Sequence, residues 1–208
     1  DYSTGLRDSF VATAATNGLE IVTEQSFTDQ SNTDFSVQLQ AVKESGADLL
    51  FMPLYAQEAA YIITQADKAG LDVTFFGCDG LDGILEKIGA DNVALTEGVM
   101  LLTPFAADSE TEPTKSFTAA FKADYGYTPD QFAADAYDAV YAIVEAMKHA
   151  DTNPDDPEFN EKMIKAMTEI TVVGTTGTMQ WTPEGEPDKN ATAVVIVDGV
   201  YVSYDNVK

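Results

Sequence analysis

The stretch from Ala47 to Gly80, ADLLFMPLYAQEAAYIITQADKAGLDVTFFGCDG, most limits what this chain can fold into. Asp48–Leu54 is an apolar run of strand length. Ala59, Ile62, Ile63, Ala66 and Ala69 follow at helical spacing, and Gly70 ends that helix. Val73–Gly77 is a second buried strand. Continuous apolar strands on both sides of an amphipathic helix imply a β-α-β unit in a parallel sheet covered on both faces. Open parallel sheets bind ligands just beyond the carboxyl ends of their strands. Tyr55 follows the first strand and Asp79 the second, so an aromatic and an acid stand at neighbouring strand ends.

The first half of the chain repeats this alternation. Leu6, Phe10 and Ala14 share a helical face that stops at Asn17-Gly18. Leu19–Phe27 reads as a strand, Thr28–Thr33 as a polar loop, and Asp34 as the N-cap of a helix over Phe35–Glu44. The order α-β-α-β-α-β is that of a doubly wound α/β sheet. A helix docked on a parallel sheet normally follows a strand, and none precedes Asp1. The expectation is a chain that starts mid-fold, with a strand missing upstream.

Beyond Gly80 the spacing gives a short helix near Ile84–Ile88 and a strand over Gly98–Leu102. Ala106–Pro113 is polar and acidic, a natural crossover. Helices are expected over Thr114–Tyr125, with Pro113 in the first turn, over Phe132–Ala150 and over Glu158–Met167. The long helix carries Ala136, Val140, Ile143, Val144 and Met147 on one face. Strands close the chain at Gly177–Trp181, Ala191–Val197 and Val200–Tyr204, the last two joined by an Asp198-Gly199 hairpin turn.

Charge and motif chemistry remove several function classes. Eleven basic residues face thirty-five acidic ones, a net charge of −24. Binding phosphate backbones needs Lys and Arg to displace counterions, so nucleic acid is not an expected partner, nor is an anionic membrane surface. Such a self-repelling surface suits a protein working outside the cell. No run of eighteen apolar residues occurs. Cys78 is the single cysteine, which excludes an internal disulfide and a multi-thiolate zinc site.

The only histidine, His149, sits near the end of the long helix without a nucleophile signature beside it. Neither a phosphate-cradling Gly-rich loop nor Gly-x-Ser-x-Gly occurs, and Gly174-Thr175-Thr176-Gly177 reads as a tight turn. Asp151–Asp155 superficially suggests a calcium loop, but Asp156 stands where glycine is needed and Lys162 where Glu is needed. Trp181 ends a strand and reads as a core or hinge anchor. No catalytic residue, metal ligand or cofactor is expected. What survives is Tyr2, Tyr55 and Asp79, at related strand-to-helix junctions on one edge.

At these residues the chain resembles the branched-chain-amino-acid type of periplasmic solute-binding protein of ABC importers. The resemblance is carried by Asp1-Tyr2-Ser3-Thr4-Gly5-Leu6, by Asp34-Phe35 before Gly46-Ala47-Asp48, and by the strand with Tyr55 and Glu58-Ala59. It continues through Lys68-Ala69-Gly70-Leu71, Gly77-Cys78-Asp79-Gly80, Glu97-Gly98-Val99 to Thr103-Pro104-Phe105, the helix Phe117–Tyr125, Ala134–Ala139, and Val195–Gly199.

The resemblance implies a type I periplasmic-binding fold, with two α/β parallel-sheet lobes carrying helices on both faces. Residues 1–103 would be the second ligand-binding lobe, lacking its first strand. Residues 104–190 would be the returning part of an incomplete first lobe, and 191–208 the terminal crossover strands. In the family an acid of the second lobe receives the ligand's α-ammonium beside flanking tyrosines. By position that acid is Asp79, with Tyr2 and Tyr55; members carry Glu more often than Asp here. The groups that hold the α-carboxylate would lie outside this chain.

The implied function is non-enzymatic binding of an amino acid, branched-chain or similar, for delivery to the transmembrane permease subunits of an ABC importer. The alternatives are a sensor's ligand-binding domain and a binder of another small solute, such as an amide or aromatic acid. The implied location is periplasmic or extracellular, with a lipid anchor borne by an absent N-terminus as one arrangement. An exposed sheet edge could pair with a second copy.

Overall fold

The computed structural model describes residues 2–207. Internal packing divides the chain into two compact units. One comprises Asp1–Leu102 and Ala193–Tyr204, the other Thr103–Thr192 and Asp205–Lys208.

The first unit is built on the expected β-α-β element. Strand β1 (Leu49–Met52) and strand β2 (Thr74–Gly77) run parallel in the register Leu49↔Thr74 to Met52↔Gly77. Between them lies a helix over Ala56–Ala69, which is α3 in chain order after α1 (Tyr2–Ala14) and α2 (Ser36–Ser45). Ala59, Ile62, Ile63 and Ala66 are its buried stripe. Fully burying an isoleucine is worth about 1.5–3 kcal/mol, so Ile62 and Ile63 hold the helix far more firmly than propensity does. Gly70 closes α3 in the left-handed region, φ 60°, with its N–H on the Ala66 and Asp67 carbonyls.

A short helix α4 (Ile84–Lys87) precedes strand β3 (Met100–Thr103), which is parallel to β2. The chain returns much later as the antiparallel hairpin β7 (Thr192–Val197) and β8 (Val200–Ser203), giving the sheet order β1-β2-β3-β7-β8. Asp198 and Gly199 both have positive φ, 50° and 73°, as a two-residue primed turn requires. On one face of the sheet Phe51 stacks on Phe10 of α1 at 4.2 Å and leans on Phe76 at 5.6 Å. Met52, Leu81, Ile84, Leu101 and Ile196 are almost fully buried.

The second unit contains α5 (Thr114–Tyr125), α6 (Gln131–Ala150) and α7 (Phe159–Met167). With them goes a small antiparallel sheet of β4 (Val172–Gly174), β5 (Gly177–Trp181) and β6 (Pro187–Asp188). Phe105, Phe117 and Ala134 form one buried cluster; Ala142, Val172 and Met179 form another, with Trp181 packed against it. Asp130 caps α6, its carboxylate accepting from the Ala133 N–H at 2.8 Å.

Four expectations need correction. Residues 19–27 form no ladder with any described strand, and Leu19, Ile21 and Val22 are exposed. A strand exists only through its neighbour, and this segment is tied instead through side chains, Arg7 to Glu24 and Gln38 to the Ser26 carbonyl. The cap of α2 falls on Phe35; Asp34 accepts from the Ser36 N–H at 3.0 Å, one position further out than assigned. The short strands β4 and β6 form where the spacing predicts none.

The fourth concerns α6. Its buried positions are Gln131, Ala134, Asp138, Ala142 and Ala146. The larger stripe of Val140, Ile143 and Val144 is exposed, because no described element covers it. The face of small and polar residues takes the hairpin β4–β5, whose backbone must approach closely.

Candidate functional site

Tyr55 lies three residues past the end of β1 and Asp79 two past the end of β2, on neighbouring parallel strands paired at Met52↔Gly77. Tyr55 is also the N-cap residue of α3, which sets its extended backbone. Tyr2 opens α1. These three side chains, far apart in sequence, meet in the first unit. The Tyr2 hydroxyl donates to Asp79 Oδ1 at 2.7 Å, and the Gly80 N–H donates to the same hydroxyl at 2.9 Å. The Tyr2 and Tyr55 rings stack at 5.0 Å with an interplanar angle of 20°. Asp1 lies outside the described residues.

Burial grades across the group. Tyr55 is 57% exposed, Tyr2 and Asp79 are half-buried, and Gly80 and Cys78 are buried. Burial, and next the hydrogen bond to Asp79, push the Tyr2 phenol above its ordinary range. The phenol therefore stays protonated and remains a donor to the carboxylate at neutral pH. Burial, and then the charge of Asp79, push the Cys78 thiol up to about 11. The thiol is an inert part of the wall at neutral pH.

Gly80 is required for this closeness. A Cβ there would lie 2.7 Å from the Leu54 carbonyl oxygen and 2.7 Å from the Tyr2 hydroxyl. The far end of the same loop is anchored too. The Tyr201 hydroxyl, from β8, accepts from the Gly83 N–H at 3.0 Å. Burial, and next the charge of Asp82, raise the Tyr201 phenol well above its ordinary range. The loop 79–83 is thus held by one tyrosine at each end. The sequence pattern assigns a role to neither Gly80 nor Tyr201; their partners are 78 and 118 residues away.

The arrangement is a half-open wall. A carboxylate stands beside a stacked aromatic pair, which together suit a cation: the carboxylate for charge, the ring face for cation–π attraction. A cavity of about 240 Å³ in the same unit, lined by Tyr61, Lys68, Lys87 and Asn92, includes none of these residues. Among the described residues no group of three or more His, Cys, Asp or Glu side chains could hold a metal ion. Asp156, in the acidic loop, accepts from Lys162 Nζ at 2.7 Å, so an ammonium sits where a calcium ion would need a ligand. His149 reaches Glu169 at 3.1 Å, linking α6 to the chain beyond α7. No helix among the described residues is long and apolar enough to cross a membrane.

Residues 1–199 match the family model described as periplasmic binding protein. The chain belongs to the periplasmic binding protein family. This family binds solutes and does not consist of enzymes, in line with the resemblance read from the sequence. Among curated relatives, a leucine-, isoleucine-, valine-, threonine- and alanine-binding protein of Pseudomonas aeruginosa is 26% identical over 176 residues. That match covers 85% of this chain and 46% of the relative. A Leu/Ile/Val-binding protein homolog of Brucella abortus is 28% identical over 156 residues, 74% of this chain and 39% of that one. The chain therefore spans less than half the length of these relatives.

Solved structures show the same fold. The leucine-binding protein LivK of Thermotoga maritima superposes with a TM-score of 0.83 at 23% identity, over 100% of this chain and 59% of that one. The Streptococcus pneumoniae LivJ structure, in complex with isoleucine, gives 0.81 at 24% identity, over 97% and 55%. A Rhodopseudomonas palustris solute-binding protein in complex with benzoate gives 0.78 at 19%, over 97% and 53%. The type I periplasmic-binding fold expected from the sequence is present.

Proposed function

We propose that this chain contributes one wall of an extracellular amino-acid-binding site, with Asp79 receiving the ligand's α-ammonium and Tyr2 and Tyr55 flanking it. The observation that carries the reading is the convergence of these residues beyond adjacent parallel strand ends, with Tyr2 hydrogen-bonded to Asp79 at 2.7 Å. A desolvated ammonium needs a carboxylate partner, and an acid held next to ring faces supplies it. The names of the Pseudomonas, Brucella and Thermotoga proteins support an aliphatic amino acid. Residues 1–103 then form most of the second lobe, 104–190 the returning part of the first, and 191–208 the crossover.

The protein would release its ligand to the permease subunits of an ABC importer, outside the cytoplasmic membrane. Closure of two lobes on a ligand that touches both is the mechanism that suits such a fold. The benzoate-bound neighbour raises the case of an aromatic acid. Asp79 argues against it, because two carboxylates facing each other repel.

An amine without a carboxylate tests the wall that is present. In a 15N-labelled chain, n-butylamine and leucine should shift the Asp79 and Gly80 amide resonances, and acetate and benzoate should not. Asp79→Asn should abolish the response. If butylamine leaves these amides unmoved, or Asp79→Asn responds as the parent does, the assignment is wrong.

A further inference from the structure

Tyr2 and Gly80 carry more than the flanking role given to Tyr2 above. The hydroxyl of Tyr2 is used twice: it accepts from the Gly80 N–H at 2.9 Å and donates to Asp79 Oδ1 at 2.7 Å. The first bond fixes the second. An oxygen already accepting from a backbone N–H has its own proton directed elsewhere, here to the carboxylate. Bonds to an ionised acceptor are short and strong, and chained bonds reinforce one another. Gly80 is also the residue directly following Asp79, so its N–H belongs to the peptide group of Asp79 itself. One hydroxyl thereby grips both the side chain and the backbone of the acid.

Two other contacts hold the hydroxyl in place. Stacking on Tyr55 at 5.0 Å positions the ring. The lack of a Cβ at Gly80 lets the hydroxyl approach, since that atom would lie 2.7 Å from it. The alternative, a Tyr2 that simply offers its ring to the ligand, would need neither the hydroxyl nor a glycine at position 80.

We infer that Tyr2 and Gly80 are positioning residues: the Gly80 N–H to Tyr2 O–H to Asp79 Oδ1 relay holds the carboxylate in a fixed rotamer for an ammonium-bearing ligand. This rests on the assignment of Asp79 as the ammonium acceptor. The relay has a consequence for ligand class. A guanidinium grips a carboxylate through both oxygens with two parallel bonds. An oxygen that already accepts from a phenol has only one acceptor site left to join that fork, which restricts a guanidinium's approach, whereas an ammonium binds as a point charge. The site therefore selects primary ammonium over guanidinium.

The test uses Tyr2→Phe, which keeps the ring and its stack but deletes the hydroxyl. The probes are n-butylamine and n-butylguanidine, followed by amide shifts on the 208-residue chain. Tyr2→Phe should bind butylamine about tenfold more weakly, the size of one hydrogen bond to a charged group. Its preference for the amine over the guanidine should shrink, and its thermal midpoint should fall by a few degrees, because the buried Gly80 N–H loses its acceptor. A Tyr2→Phe protein with parental affinity and selectivity overturns the relay, while loss of the response in Asp79→Asn keeps the ammonium reading intact.

A ligand-free measurement separates the two if butylamine fails to bind at all. With 13Cζ-labelled tyrosine, the Tyr2 phenol should ionise at lower pH in Asp79→Asn than in the parent. An unchanged Tyr2 titration overturns the relay regardless of ligand. Gly80→Ala should reproduce both the weaker binding and the shifted titration; if it leaves both at parental values, the glycine has no part in the relay.

Discussion

Asp138 is buried in the second unit, 3% exposed, and its carboxylate is the centre of the β4–β5 turn. It accepts from the Thr175 N–H at 2.8 Å and the Thr176 N–H at 2.8 Å, and from the two threonine hydroxyls at 3.1 and 2.7 Å. The two hydroxyls have other acceptors, Thr175 the Ala134 carbonyl at 3.4 Å and Thr176 the Met179 sulfur at 3.9 Å. The two backbone N–H groups have no such second choice. Asp138→Ala leaves both unpaired in a buried turn, at about 1–3 kcal/mol each, so the expected loss is roughly 4 kcal/mol.

That is a large share of the ~5–15 kcal/mol that stabilises a typical domain. With a urea slope of about 1–3 kcal/mol/M, the midpoint should fall by roughly 2 M. Asp138→Asn is expected to lose less, because one oxygen remains to serve one N–H. Trp181 is the only tryptophan and packs against the cluster that includes Val172 and Met179, so its fluorescence reports this unit directly. A midpoint in Asp138→Ala within the error of the parent's would refute the claim that the turn depends on this carboxylate.

Two further outcomes are expected. Cys78 should resist Ellman's reagent in the folded chain at pH 8 and react at once in urea; its thiol is raised to about 11, so its contribution to stability is complete below the ordinary thiol range and is lost as pH rises toward 11, which a urea series from pH 8 to 11 checks. Tyr201→Phe removes the long-range acceptor of the Gly83 N–H, which keeps its bond to Asp82 Oδ1 at 2.9 Å, and should cost about 0.5–1 kcal/mol while raising 15N relaxation dispersion across residues 79–83; an unchanged loop would show that the hydroxyl does not hold it.

The β-α-β element was legible because both of its signals are local: apolar runs of strand length and a helical stripe ending at Gly70. Tyr55 and Asp79 followed from it, since a strand's carboxyl end can be read once the strand is found. Residues 19–27 misled for the opposite reason. Their side chains suit a strand, but a ladder is a property of two segments, and no described strand lies beside them. The long helix misled in the same way: periodicity located its apolar stripe over Val140, Ile143 and Val144, while its contacts selected Asp138 and the alanines. The relay through Gly80, the anchor at Tyr201 and the clamp of Asp138 all join residues between 37 and 118 positions apart. Nothing in the local pattern announces such bonds.

The two tyrosine anchors of the loop 79–83 also determine when it can form. Gly80 waits for a residue 78 positions earlier, and Gly83, which Asp82 serves locally, gains its second acceptor from one 118 positions later. Closing a loop of 118 residues costs about 2 kcal/mol more chain entropy than closing one of ten. Contacts of such separation form late in folding. On the ribosome the β-α-β unit can be complete while Tyr201 has yet to be synthesised. A peptide spanning 47–83 would hold both Tyr55 and Asp79 and still present no ordered acid. The wall proposed for the ligand is therefore a readout of finished folding: a chain that has not brought its closing hairpin home has not fixed both ends of the loop that carries Asp79.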